Sequence, residues 1–152
     1  MTSEIEINSY LKNNKLARIM VVDDEKDILR IIKRDLETTN EFQVETFSTG
    51  KEALTSFKNH DPGYYDIIIT DIRMPRMNGF ELYRNIKESS PNTKIAFITA
   101  FEINKDEFTK VLPSIDVKDF IIKPIDMNDL IFKIKSMLSM YPILYIANMC
   151  IY

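Results

Sequence analysis

Four apolar segments of this chain each deliver a polar residue near their carboxyl end. Arg18–Val22 runs into Asp23-Asp24, Asp66–Thr70 into Asp71, and Phe120–Ile122 into Lys123, while Lys94–Ala100 carries Thr99. Short apolar runs without polar alternation read as strands buried on both faces, as in a parallel sheet covered by helices. Between them the period lengthens. Ile28, Leu29, Ile32 and Leu36 fall at helical spacing, which leaves Lys33, Arg34 and Glu37 for the solvent face. Glu25 and Asp27 are placed in the first turn of that helix, where negative charge suits the dipole.

Phe42–Phe47 alternates with period two and reads as a less buried, edge strand. Thr49 and Glu52 have capping-box spacing and open a helix through Phe57. A helix follows from about Gly79 to Lys87, and another carries Phe108, Val111 and Leu112, with Asn104 and Glu107 at its start and Pro113 at its end. Asp126 caps a last helix bearing Leu130, Ile131, Ile134, Met137 and Leu138. Five strands alternating with five helices predict an α/β fold, a doubly wound parallel sheet with right-handed crossovers.

The chain has 152 residues, enough for one domain with a good core and no disulfides. A net charge of −3, from 20 basic against 23 acidic side chains, argues against a direct nucleic-acid-binding module. The lone cysteine, Cys150, suits a reducing compartment. The acidic N-terminus lacks a signal-peptide layout, and no apolar run approaches the roughly 20 residues of a membrane span. The expected location is cytoplasmic. We divide the chain into an N-terminal arm (1–16), one domain (17–140) and an uncharged, apolar tail (141–152). The tail is expected to bury at an interface, a homodimer contact among the alternatives; nothing after residue 140 is long enough for an output domain, so the chain is expected to act through a partner or to be a fragment of a longer protein.

In a parallel sheet all the strand ends open on one edge, beside the crevice where such folds bind ligands. Asp23, Asp24, Asp71, Thr99 and Lys123 then converge. Carboxylates that close repel, and one is driven toward its neutral form unless a cation joins them. Oxygen-only ligation points to a hard ion, Mg²⁺ above others. An ammonium and a hydroxyl beside it suit a phosphoryl group, which a carboxylate nucleophile accepts as an acyl phosphate.

The acid pair at 23–24, Asp71-Ile72-Arg73-Met74-Pro75-Arg76-Met77-Asn78-Gly79, Ile98-Thr99-Ala100 and Lys123-Pro124, in this order and each at a strand end, resemble the receiver domain of two-component response regulators over about residues 17–140. That resemblance implies a flavodoxin-like, three-layer α/β/α fold and a phosphorylation-dependent signalling switch in a phosphorelay. Asp71 would be the phosphoacceptor, charged by a sensor histidine kinase or a histidine phosphotransfer protein. Asp24 would bind Mg²⁺ with Asp71, Asp23 would act through a water, and the Arg73 backbone carbonyl would complete the set. Thr99 and Lys123 would hold phosphoryl oxygens, Phe120 would be the switch aromatic that turns inward with Thr99, and Lys123-Pro124 would be cis. A downstream effector would read the fourth helix, fifth strand and fifth helix, about 104–138, and the protein would have no separate enzymatic output.

The chain departs from the family in Ser114–Asp119, which lacks a Gly-Ala-type turn before Phe120. Arg73 and Phe101 flank the site and are expected to lengthen the phosphorylated lifetime by limiting water access. Other functions compete with the switch. An aspartyl-phosphate phosphatase wants a second acid two residues after its nucleophile, where this chain has Arg73. A dinucleotide-binding domain wants glycines after the first strand, where this chain has Asp23-Asp24-Glu25-Lys26. The remaining alternative is a receiver-like interaction module that is never phosphorylated. His60 reads as a surface loop residue, Met74 and Met77 as loop packing.

Overall fold

The computed structural model describes residues 15–100 and 120–138. The elements in chain order are β1 (Ala17–Val22), α1 (Lys26–Thr38), β2 (Phe42–Phe47), α2 (Gly50–Lys58), β3 (Ile67–Asp71), α3 (Gly79–Ser89), β4 (Ile95–Thr99), β5 (Phe120–Ile122) and α4 (Met127–Met137). All strand pairs are parallel, in the order β2-β1-β3-β4-β5. The expected doubly wound parallel sheet is therefore present. The helix expected over about 104–112, the arm at 1–14 and the tail from 139 lie outside the described residues.

The apolar runs of β1, β3 and β4 bury both faces because helices cover both. On one side Ile19, Val21, Ile67, Ile69, Ala96 and Ile98 pack against Leu29, Ile32 and Leu36 of α1 and Leu130 and Ile134 of α4. On the other, Met20, Val22, Ile68, Ile95 and Phe97 meet Ala53 of α2 and Leu82 and Ile86 of α3. Successive strand residues point to opposite faces, so each run supplies both layers.

Among the described residues, three helices begin on side-chain caps. Thr49 accepts from the Glu52 N–H, and Asp126 from the Asp129 N–H, as the sequence suggests. At α3 the Asn78 side chain accepts from the Glu81 N–H while the Glu81 carboxylate accepts from the Asn78 N–H, a reciprocal box the sequence reading overlooks. Glu25 is the N-cap of α1 rather than part of its first turn, and its side chain makes no cap hydrogen bond.

Two further expectations change. Lys33 and Glu37 do more than face solvent. Lys33 Nζ donates to the Val44 carbonyl at 2.6 Å, and the Glu37 carboxylate accepts from the Val44 N–H at 3.1 Å. Val44 lies on β2, the edge strand, so the pair satisfies backbone groups that would otherwise offer a template to another strand. His60 is half-buried, not a plain surface residue. Its ring stacks on Tyr64 at 3.6 Å, and Nδ1 lies 2.7 Å from the Ser56 carbonyl. Tyr64 and Tyr65 both donate to the Glu45 carboxylate, which ties the loop before β3 to the edge strand.

Candidate functional site

β1 and β3 are neighbours in the sheet although β2 lies between them in sequence. Their register pairs Val22 with Thr70, so the residues that follow, Asp23 and Asp71, reach the same edge together. This is the point where strand order reverses, the usual crevice of a doubly wound sheet. Asp23 and Asp71 are buried and Asp24 is exposed, and a carboxylate oxygen of each lies within 4.8 Å of the others.

Lys123 follows β5 and reaches back into this cluster. Its Nζ donates to Asp71 Oδ2 at 3.1 Å and to Glu25 Oε1 at 3.0 Å. It also stands 3.1 Å from Asp23 Oδ2, at ion-pair distance. That buried oxygen has no hydrogen bond of good geometry, whereas Asp23 Oδ1 accepts from the Glu25 N–H at 2.8 Å. Burial would by itself lower the Lys123 pKa, but the bonds to Glu25, Asp23 and Asp71 outweigh it and hold the ammonium above its ordinary value. Burial pushes the Asp23 carboxyl up. The Glu25 N–H and Lys123 pull it down without cancelling the rise, and the Asp71 charge adds to it. The repulsion that gathered carboxylates imply therefore contributes, but burial is the larger cause.

Thr99 is buried at the end of β4, and its carbonyl accepts from the Lys123 N–H at 2.8 Å. A backbone hydrogen bond thus links Thr99 to Lys123. The Lys123-Pro124 peptide is cis, as expected. Phe120 is buried at the start of β5 and stacks on Phe97 at 5.4 Å, facing the α3 side. Arg73 is exposed, two residues beyond Asp71 in the loop to α3; Phe101 and Ser114–Asp119 lie outside the described residues. Met74 is buried in the core and Met77 packs against it.

Glu25 belongs to this site too, and the sequence reading gave it no place there; Gly79, the last residue of the motif that begins at Asp71, closes on it as well. The Gly79 N–H donates to the Ile72 carbonyl at 2.9 Å, which draws the start of α3 onto the strand that carries Asp71.

The donor set suits a divalent hard cation. All ligating atoms are oxygens, one of them a buried carboxylate oxygen without a hydrogen bond, and exposed Asp24 leaves room for the waters that Mg²⁺ keeps. Among the described residues no helix is long and apolar enough to cross a membrane.

Comparison with known proteins agrees with this fold. The family model described as response regulator receiver domain matches residues 19–135. Response regulator ArlR of Staphylococcus aureus is 33% identical over 128 residues, covering 84% of this chain and 55% of that protein. The chain spans about half the length of the curated relatives it matches. Among solved structures, a CheY-like receiver domain protein from Methanospirillum hungatei is 30% identical with a TM-score of 0.71, covering 82% of this chain and 95% of that one. Response regulator TrrA from Thermotoga maritima, solved in complex with Mg²⁺-BeF, is 27% identical with a TM-score of 0.66, covering 80% and 99%.

Proposed function

The chain belongs to the response regulator receiver family, and from that premise we propose that it is a phosphorylation-controlled signalling switch with Asp71 as its acceptor. One observation carries the proposal: the Asp71 carboxylate lies 3.1 Å from the Lys123 ammonium inside a cluster of three acids. The donor is a phosphohistidine of a sensor kinase or phosphotransfer protein, or a small acyl phosphate. An Asp71 oxygen attacks phosphorus and forms a new P–O bond. The P–N or P–O bond to the donor breaks, and its electron pair leaves with the imidazole or the carboxylate.

The residues around Asp71 divide the work. Lys123 offsets charge on the transferred oxygens. Thr99 offers its hydroxyl at the same edge, and its backbone link to Lys123 couples the two responses. Asp23, Asp24, Asp71 and the Arg73 carbonyl would hold Mg²⁺, as the resemblance implies. When bound, that ion supplies positive charge against the carboxylates and the phosphoryl oxygens. The modification adds about −1.5 to −2 of charge, which biases the Thr99–Phe120 region between two packings.

On this view the protein turns over no separate substrate, and its output is a partner protein that reads the surface around β5 and α4. The test is to incubate the chain with acetyl phosphate and Mg²⁺ and record its intact mass. One phosphoryl increment, absent in Asp71→Asn, supports the proposal. No increment in the wild type favours an interaction module that phosphorylation does not control.

A further inference from the structure

Lys123 has three N–H donors and three carboxylates about it. Asp71 is the proposed acceptor, and Asp23 belongs to the metal-binding acids. Glu25 has neither role, yet it sits closest to the ammonium at 3.0 Å. The three differ in how easily they can leave. The Asp23 side chain is wholly buried, and its Oδ1 is fixed by the Glu25 N–H. Asp71 is itself the modified group. The Glu25 side chain is 60% exposed and makes no cap hydrogen bond to α1, so neither packing nor the helix end fixes its carboxylate. Its backbone stays tied to Asp23 while its side chain can swing into water.

A phosphoryl group on Asp71 brings new negative oxygens to the same ammonium. Glu25 competes with them for that donor and repels them. We propose that Glu25 is a displaceable counter-ion: it holds Lys123 in the unmodified protein, leaves when Asp71 is charged, and so sets how readily charging occurs. Glu25 is then a positioning residue acting through Lys123. This inference rests on Asp71 being the acceptor.

The full chain is incubated with acetyl phosphate and Mg²⁺, and the phosphorylated fraction is followed by intact mass for wild type, Glu25→Gln and Glu25→Ala, each at low and high KCl. Thermal midpoints are recorded in parallel. Both variants are expected to charge roughly two- to fivefold faster than wild type at low salt, the range of a partly exposed ion pair. The gap should narrow in high salt, which screens the Glu25 charge in the wild type. Equal or slower charging in the variants overturns the inference, as does a lowered midpoint with no salt-dependent difference in rate. A wild type that takes no phosphoryl group instead removes the acceptor itself, and the inference with it.

Discussion

Gly79 lies so close to Asp71 that a Cβ built on it would stand 2.3 Å from the Asp71 carbonyl oxygen and 3.0 Å from the Ile72 Cα. Both obstacles are backbone, so they cannot rotate away. Gly79→Ala must push α3 off β3 or bend the loop that carries Asp71. We predict a loss of about 1–3 kcal/mol in urea unfolding, together with slower charging of Asp71. Gly50→Ala is the control. Its Cβ would meet the Met77 Cγ at 2.9 Å, Cβ at 3.0 Å and carbonyl oxygen at 3.1 Å, so Met77 must shift by a few tenths of an ångström, and the cost should be smaller than that of Gly79→Ala, with Asp71 charging unchanged.

The Asp23 carboxyl gives a pH signature. Its folded pKa is raised, chiefly by burial. The folded state therefore holds the proton to higher pH than the unfolded chain does. Its effect on stability becomes unfavourable as pH rises through the window from the unfolded value, about 3.9, to the raised folded value. In chelator, Asp23→Asn should be more stable than wild type at neutral pH, because it keeps an acceptor for the Glu25 N–H and removes the buried charge. The advantage should shrink as pH falls toward about 4. Urea midpoints measured across that range check it; an advantage that grows on acidification contradicts it.

Mg²⁺ should stabilise the folded chain by linkage. At a tenfold excess over its Kd the expected gain is about 1.4 kcal/mol, a rise of a few degrees in Tm. Asp24→Asn should remove most of that rise while leaving the Tm in chelator close to or above that of wild type. Calorimetry with and without the ion decides. Ca²⁺ in place of Mg²⁺ tests whether the cluster discriminates by size.

The edge clamp is a separate prediction. Glu37 is held below its ordinary pKa first by the hydrogen bond from Lys33, and its carboxylate takes the Val44 N–H. Glu37→Ala should cost about 1 kcal/mol and speed hydrogen exchange at the Val44 amide. Because the folded pKa is depressed, the stabilising contribution is present above about 4.3 and is lost as pH falls through the lower folded value. Lys33→Ala combined with Glu37→Ala should also raise self-association, read by light scattering, through the opened β2 edge.

The strands β1, β3 and β4 are legible because they are buried on both faces, which favours an unbroken apolar run, and β2 because one face alternates with the other. Phe42–Phe47 and Phe120–Ile122 fall where the pattern puts them, and β1, β3 and β4 shift by a residue at their ends. Asp23, Asp24, Asp71 and Lys123 were legible for a related reason, since a polar residue ending an apolar run has one place to go. What escaped depends on sheet order. Lys33 and Glu37 look like solvent-facing helix residues until β2 is known to be the edge strand beside α1. Glu25 looks like a dipole partner until β5 brings Lys123 across to it. His60 lies in a polar turn, and its stacking on Tyr64 follows from the path of the loop into β3, which no period in the sequence records.

The central claim is that Asp71 accepts a phosphoryl group as an acyl phosphate, and that bond can be trapped chemically. Borohydride reduces an acyl phosphate to the alcohol, which converts a phosphorylated aspartate to homoserine and releases phosphate. After charging with acetyl phosphate and Mg²⁺, reduction and peptide mapping should find homoserine at position 71 and nowhere else. An unreduced Asp71, or homoserine at position 23 or 24 instead, would contradict the account.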